Sequence, residues 1–570
     1  MFLWRIVSGQ EKHMAYVTVE ELAASNGAAQ IGFEQDGLSA VPTQVQQELR
    51  FTIRPEQFGA QGDGVTDDAS AINAAIAAAN AAGGGVVALD ARNYAVGSPI
   101  LLQSKVALIG KGMRKTTITQ IGTVAAWDDM VGAGGIVTTL SGGEYENVRV
   151  AGMTVRGIYS TPIADGASHY AKNGISLINI WNSSVEDCLV SDTATGIVMA
   201  GTVAGVADYN NLIARCVTYN ARSWNAAGNS GAPRGITMAT DRSTVRDTIS
   251  DNCFTSYYVA TDYGTYENCR ASRWSDDGFY VNANYCEFTD CFAIGAASRA
   301  ESSGSGFAVN PSTGHRFKGC VAIHCSNAGM RFRHAGMAAP SGNQVLGCLF
   351  KDCGYGFLDD LTSVQPYPQA VSRNNSFIGN MADGCQLNGF MFVRQQAGVI
   401  SGNIAIANNQ AGVTISNRGG IALAEYCLDN VVQGNICDDI QGTKTQAFGL
   451  YSYPSSVTGA LLENTGNRIE HRSIYGVDIY FPSMQVGTAS AAIASAARNA
   501  VGTVVFPLRF ENAPVVIAGL QNGNALADGE RPVSVSVYNV TATGFSFSID
   551  ALAAVAANRT LNIGWQASVR

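Results

Sequence analysis

The chain has 570 residues, 46% of them hydrophobic and only 14% charged, with a formal net charge of −9. This composition excludes disorder, which needs few apolar residues and high net charge. The absence of a basic stripe argues against nucleic acid as a partner, and an acidic surface repels anionic polymers except where basic residues cluster. Glycine supplies 63 of the 570 residues, about 11% against a usual value near 7%, which suits short strands joined by polar turns.

Residues 1–50 form a mixed lead-in. Met1–Val7 is apolar, but Glu11, Lys12 and His13 follow at once, so the run is too short for a signal-peptide core or a membrane span. Met14 offers an alternative start. The expectation is a protein made in the cytoplasm without membrane insertion.

Residues 51–110 open with Phe58-Gly-Ala-Gln-Gly-Asp-Gly-Val-Thr-Asp-Asp68, a glycine-rich turn. A helix is predicted next, capped by Thr66 or Asp67, with Ile72 and Ile76 on one face and Gly83-Gly84-Gly85 ending it. Short strands are predicted at Val86–Leu89, Tyr94–Val96 and Val106–Ile109.

Residues 145–480 repeat. Tyr258, Val259, Tyr263, Tyr266 and Cys269 recur 22 residues later as Tyr280, Val281, Tyr285, Phe288 and Cys291. At an offset of 21, Met238, Val245 and Thr248 match Val259, Tyr266 and Cys269. A strand-opening glycine recurs at Gly174, Gly196, Gly235, Gly278, Gly306, Gly329, Gly356, Gly389, Gly412, Gly449 and Gly476. A second column runs Cys188, Thr248, Cys269, Cys291, Cys320, Cys348, Asn403, Asn435. Such a period with alternating apolar strands means stacked coils, and the Leu-x-x-Leu-x-Leu pattern of the rival leucine-rich solenoid is missing. The 13 cysteines lack CxxC spacing, so they read as small buried hydrophobes and neither a metal site nor a cofactor is expected.

Past residue 485 the character changes. Ala489–Ala500 reads as a linker or short helix. Alternating strands come next at Val504–Leu508, Val515–Leu520, Val533–Tyr538, Phe545–Ile549 and Leu561–Trp565, a small antiparallel β sandwich. The predicted fold class is therefore all-β: a parallel β-helix over 51–484 with an N-terminal capping helix, then a sandwich over 485–570.

Three stretches resemble known families. The Phe58–Asp68 motif with Ala71-Ile72 and Ala75-Ile76 resembles the opening of pectate-lyase-like right-handed β-helices. Gly27-Ala-Ala-Gln-Ile-Gly-Phe33 with Val45-Gln-Gln-Glu-Leu49 is similar to the lead-in of phage tailspike depolymerases. Phe506-Pro507, Phe510, Ala513-Pro514, Val537–Thr541, Thr543-Gly-Phe545 and Trp565 look like the H-type lectin fold. The tailspike resemblance implies a homotrimer on the virion, anchored to the phage tail or baseplate by its N-terminus, that binds and depolymerises a bacterial surface polysaccharide. The lectin resemblance implies trimerisation and glycan binding. No family's catalytic motif matches, so no catalytic residue carries over.

Candidate residues come from the register. If Phe279 and Val281 point inward, Tyr280 and Asn282 point out. One outward column is then Thr237, Tyr258, Tyr280, Ala308 and Arg331, and the next is Ala239, Ala260, Asn282, Asn310, Arg333 and Asp360. A third would hold Asp241, Asp262 and Asn284. Asp241 and Asp262 make a carboxylate pair of the kind glycoside hydrolysis needs, unless Arg242 or solvent neutralises them at a turn. Asp276-Asp277, with Glu301 in the loop before the next coil, is a second acidic group, although paired acids before a glycine also form turns. Trp274 beside it is a candidate sugar platform, as are Tyr258 and Tyr280, which as a cross-strand pair also stabilise a sheet. Arg331, Arg333 and His334 form a cluster for an acidic sugar, with His334 as base if the reaction is β-elimination; the structural alternative is an Arg333–Asp360 surface ladder. His315 reads as structural. The expected activity is endo-acting hydrolysis ahead of lysis, with a non-enzymatic adhesin as the rival.

Overall fold

The structure, a computed structural model, describes residues 18–568 except 25–26, 35, 37–39, 46–51, 123–133, 159–172, 202–207, 222–232, 296–303, 336–337, 361–370, 414–418, 447, 454–466, 474–483, 507–512, 522–531, 542–543 and 552. The expectations at Met1, Met14, Glu301 and Gly476 fall outside the described residues.

The repeat folds as a parallel β-helix. One face is a 13-stranded parallel sheet, and two further parallel ladders form the other faces. The spacings read from sequence are the register of these ladders. Met238 pairs with Val259 and Val259 with Val281, while Val245, Tyr266 and Phe288 align in the next ladder. Inward side chains stack coil on coil. Tyr257, Phe279 and Phe307 lie 4.5 and 4.7 Å apart by ring centroid, and Phe288 lies 4.6 Å from Phe317. These distances match the roughly 4.8 Å between neighbouring strands, so each ring packs on its equivalent without distorting the sheet.

Two corners of the coil are built from polar and sulfur columns. All thirteen cysteines are free and buried. The column predicted from Cys188 to Asn435 gains two members, Cys216 and Asn380, whose carbonyls take the backbone N–H of Ile249 and Ile404. Where cysteine gives way to asparagine, each amide oxygen accepts the backbone N–H of the coil before it. The Cys348 N–H donates to Asn380 at 2.9 Å, Asn380 to Asn403 at 3.0 Å and Asn403 to Asn435 at 2.9 Å. A buried corner with unpaired amides is thereby satisfied.

The glycine column brings backbones together. A Cβ on Gly306 would lie 2.6 Å from the Gly329 carbonyl oxygen, and one on Gly356 2.3 Å from that of Gly389. Gly412 is not part of this column. It sits at a turn with φ +64°, and Gly420 takes its place between Gly389 and Gly449.

At the N-terminal end the helix spans Ala69–Ala81 and buries Ile72 and Ile76. Its N-cap is Asp68, whose side chain makes no cap bond and instead accepts from Gln61 and Gly62 of the glycine-rich turn. Thr66 is tied to Asp63, and Asp67 accepts from Ala69 and Gly97. Asp67 thus takes the first N–H of the helix, as predicted for it, while the formal N-cap Asp68 pins the glycine-rich turn and Thr66 does not cap.

The C-terminal part holds two three-stranded antiparallel sheets around an apolar core that includes Phe506, Phe545, Phe547, Ile563 and Trp565. The alanine-rich stretch is neither linker nor helix. Met484–Ile493 is a strand paired over its length with Arg559–Ser568, and Asn499–Val505 pairs with Gly544–Ala551. Pairing and burial on one face override alanine's weak preference for helix. No helix among the described residues is long and apolar enough to cross a membrane.

Candidate active site

The outward columns on the 13-stranded sheet form as the alternation requires: Thr237, Tyr258, Tyr280, Ala308 and Arg331 are successive register partners. On this face four side chains stack along the helix axis. The Arg234 Cζ lies 3.3 Å from the centroid of the Tyr258 ring, Tyr258 stacks on Tyr280 at 5.6 Å, and the Arg333 Cζ lies 5.2 Å from the Tyr280 centroid. Cation–π attraction and ring stacking hold this order. Both faces of each tyrosine are occupied, so neither ring is a free platform for a sugar face. Ring edges and hydroxyls remain.

The Arg333 Nη2 donates to Asp277 Oδ2 at 2.9 Å. The Asp277 side chain is fully buried, and its Oδ1 accepts the Ser305 backbone N–H at 2.8 Å. Burial raises the Asp277 carboxyl to about 6, against the pull of Arg333 that favours its charged form. Asp276 is half-buried, and its Oδ2 accepts from Thr255 Oγ1 at 3.3 Å. This corner therefore holds two adjacent carboxyl groups in unequal surroundings, the arrangement that separates an acid from its partner.

Arg331 and Asp360 form the other ion pair, Nε to Oδ2 at 2.7 Å, with Nη2 on the same oxygen. Register sets Asp360 opposite Arg333, but Arg331 reaches it diagonally while Arg333 turns toward Asp277. The expected Arg333–Asp360 ladder is thus replaced by two pairs.

His334 is buried, with Nε2 2.7 Å from Asp359 Oδ1 and 3.2 Å from Ser372 Oγ. Its side chain is fully buried, and its Nε2 faces Asp359 and Ser372 inside the coil. His315 is also buried, between Ser312 and the Cys286 N–H, and burial lowers it to about 4.

Trp274 does not face solvent. It is 1% exposed, inside the core. Arg273 before it takes the left-handed conformation at φ +49°, and the bend there breaks the in–out alternation that placed Trp274 outside.

Asp241 and Asp262 lie beyond the ends of strands Arg234–Ala239 and Thr255–Val259. Asp241 Oδ1 accepts the Asp262 N–H at 3.0 Å, Asp262 Oδ1 the Asn284 N–H at 2.7 Å, and Asn284 Oδ1 the Thr313 N–H at 3.1 Å. The third column exists, and its oxygens bind backbone of successive coils. Asp208, which the sequence did not single out, has its carboxyl raised by burial and by Asp241 nearby. At the same corner Tyr263 and Tyr285, both in the left-handed region, stack at 5.0 Å and stand about half exposed.

Among the described residues no cluster of His, Cys, Asp and Glu is arranged to hold a metal.

Residues 55–280 match the rhamnogalacturonase A/epimerase, pectate lyase-like family, and residues 234–389 and 298–421 match the right-handed β-helix region. The chain carries a right-handed β-helix. Over 109 residues it is 41% identical to the mannuronan C5-epimerase AlgE5 of Azotobacter vinelandii, which is 18% of this chain and 10% of that protein. Over 96 residues it is 38% identical to a capsule-specific depolymerase of Klebsiella phage K5-2, 16% of this chain and 11% of that protein. The matched stretches thus span about a tenth of these relatives' length. The chain superposes on the tailspike of E. coli bacteriophage HK620, solved as a mutant in complex with a pentasaccharide, with TM-score 0.59 over 97% of this chain and 99% of that one at 13% identity. At that identity the likeness is one of fold.

Proposed function

We propose that the chain is a phage tailspike that binds and depolymerises a bacterial surface polysaccharide by hydrolysis, as a homotrimer attached to the virion through its N-terminal segment. The observation that carries the reading is Asp277, a buried carboxyl raised to about 6 beneath Arg333. It is suited to the general acid of a glycosidase, with Asp276 or Glu301 as the second carboxylate. Arg333 stands between Asp277 and solvent, and a sugar that engages the guanidinium uncovers the acid. The match to a phage depolymerase and the shared fold with a tailspike seen with a pentasaccharide support the substrate class. A long solenoid face suits a polymer better than a small molecule. Asp241 and Asp262 rank below Asp277 because they lie past the far ends of their strands and tie successive coils together, whereas Asp277 sits beneath Arg333 just before the start of its strand.

β-Elimination through His334 is disfavoured because its Nε2 is already held by Asp359 and Ser372. A binding-only adhesin has one observation in its favour: Arg331, Arg333, Asp277 and Asp360 are all paired with one another.

The deciding experiment incubates purified protein with a panel of capsular and O-antigen polysaccharides and reads the products by mass spectrometry. Fragments carrying one added water mean hydrolysis. Unsaturated fragments mean a lyase. A polysaccharide that is bound and never cut means the adhesin.

A further inference from the structure

Most arginines of this sheet are matched by acids: Arg331 by Asp360, Arg333 by Asp277 and Arg394 by Glu425. Arg234 differs. It opens the strand Arg234–Ala239 and is half-buried. Among the described residues no carboxylate lies within ion-pairing distance of it, as one does for Arg331, Arg333 and Arg394, and its Nε, like that of Arg333, is buried without a hydrogen-bond partner. Residues 222–233, which lead into it, contain no Asp or Glu. Burial works against its charge, and a hydrogen bond with Tyr258 supports it.

A guanidinium without a counter-charge in a partly dehydrated place is costly, and that cost is removed when an anion arrives. The Arg234 Cζ lies over the Tyr258 ring, which covers one side of the group. Its Nε is buried and Tyr258 hydrogen-bonds the group, so the remaining Nη N–H donors are what a planar acceptor such as a carboxylate would meet. The sequence alone pointed to Arg331 and Arg333 for this task, but their forks are already engaged.

We propose that Arg234 is the anion-recognition residue of the glycan site, and that the polysaccharide it serves carries an acidic sugar whose carboxylate docks on the Arg234 fork. This rests on the polysaccharide reading above and adds the charge of the substrate to it.

The test uses the full-length protein and a panel of purified capsular polysaccharides. Each polysaccharide is offered as isolated, after chemical reduction of its carboxyl groups, and after mild hydrofluoric-acid dephosphorylation, with binding read by interferometry. Carboxyl reduction is expected to weaken binding about tenfold or more, as the loss of a charge-assisted pair does, while dephosphorylation changes nothing. R234Q is expected to lose as much on the native polymer and to bind the reduced polymer as the wild type does, with R234K between the two. Because the reduced polymer leaves the protein untouched, a misfolded variant does not decide the outcome. Equal wild-type binding to native and reduced polymers, undiminished binding of native polymer by R234Q, or sensitivity to dephosphorylation alone overturns the Arg234 assignment and leaves the glycan reading standing. Failure of the wild type to bind any member of the panel overturns both.

Discussion

The Arg333 side chain runs back across the Tyr280 ring to the buried Asp277 carboxylate, Nη2 to Oδ2 at 2.9 Å, linking strands two coils apart. One side chain thus covers an acid, braces an aromatic stack and faces the solvent side of the sheet.

Asp277 as general acid works in its protonated form. With its carboxyl raised to about 6, kcat is expected to hold below that pH and to fall as pH rises through it. D277N is expected to lower kcat about 100-fold or more. The same group affects stability. Its folded value lies above its ordinary value of 3.8, so its stabilising contribution is complete below about 3.8 and is lost as pH rises through about 6. Urea midpoints measured across that window should fall for the wild type and change less for D277N.

Asp262 is expected to matter for the corner rather than for cleavage. D262A removes the acceptor of the Asn284 N–H and should cost about 1 kcal/mol, the usual net worth of such a bond. Turnover on the polysaccharide should stay at the wild-type rate, and a collapse of turnover with normal folding would restore Asp262 as a catalytic acid.

Trp274 is a core residue. W274A is expected to destabilise by about 3–5 kcal/mol, as large aromatic truncations do, seen as a lower denaturant midpoint. A variant that unfolds like the wild type and binds sugar poorly would instead make Trp274 a sugar contact.

Gly306 has no room for a side chain. G306A sets a Cβ 2.6 Å from the Gly329 carbonyl oxygen, so the coils must separate locally at about 1–3 kcal/mol, the range for overpacking. Calorimetry of G306A beside an alanine at Gly347, where a Cβ would meet nothing within 4 Å, separates close approach from loss of backbone freedom, since Gly347 carries φ +61°.

The C-terminal sheets leave Val505 80% and Ile517 68% exposed, one on each sheet, and such side chains are available to bury in an assembly. If these sheets hold the proposed trimer, V505D and I517D should shift the mass measured by light scattering from three chains toward one, with the β-helix still folded by circular dichroism.

Much of the β-helix could be read from the chain because a coil repeats its environment. Tyr258 and Tyr280 are register partners for the same reason that Val259 and Val281 are both apolar: the same inward and outward positions return every coil. The features that could not be read were those that depart from strict alternation. Trp274 comes after a left-handed residue, and no two-residue period predicts its direction. Arg333 has a side chain long enough to ignore its register partner Asp360 and reach Asp277 instead. Arg234 sits on the inward parity of its strand, yet at the strand's first residue, where the corner lets it lean over Tyr258; the only signal was its place just before Gly235. Ala489–Ala500 carried helix propensity, and its strand was decided by a partner about 70 residues away, as in the pairing of Ala491 with Leu561.

The glycine column has a consequence for how such a chain can change length. Each glycine is roofed by the carbonyl of the next, from Gly278 through Gly306, Gly329, Gly356, Gly389 and Gly420 to Gly449, so each of these coils meets its neighbour through the same contact. Adding or deleting one residue within a strand turns its side chains to the opposite face and moves the glycine out from under its roof. Removing a whole coil rejoins two surfaces that already fit. The molecule's length is therefore quantised: it can grow or shrink in whole coils, and the turns between strands are where single residues can come and go.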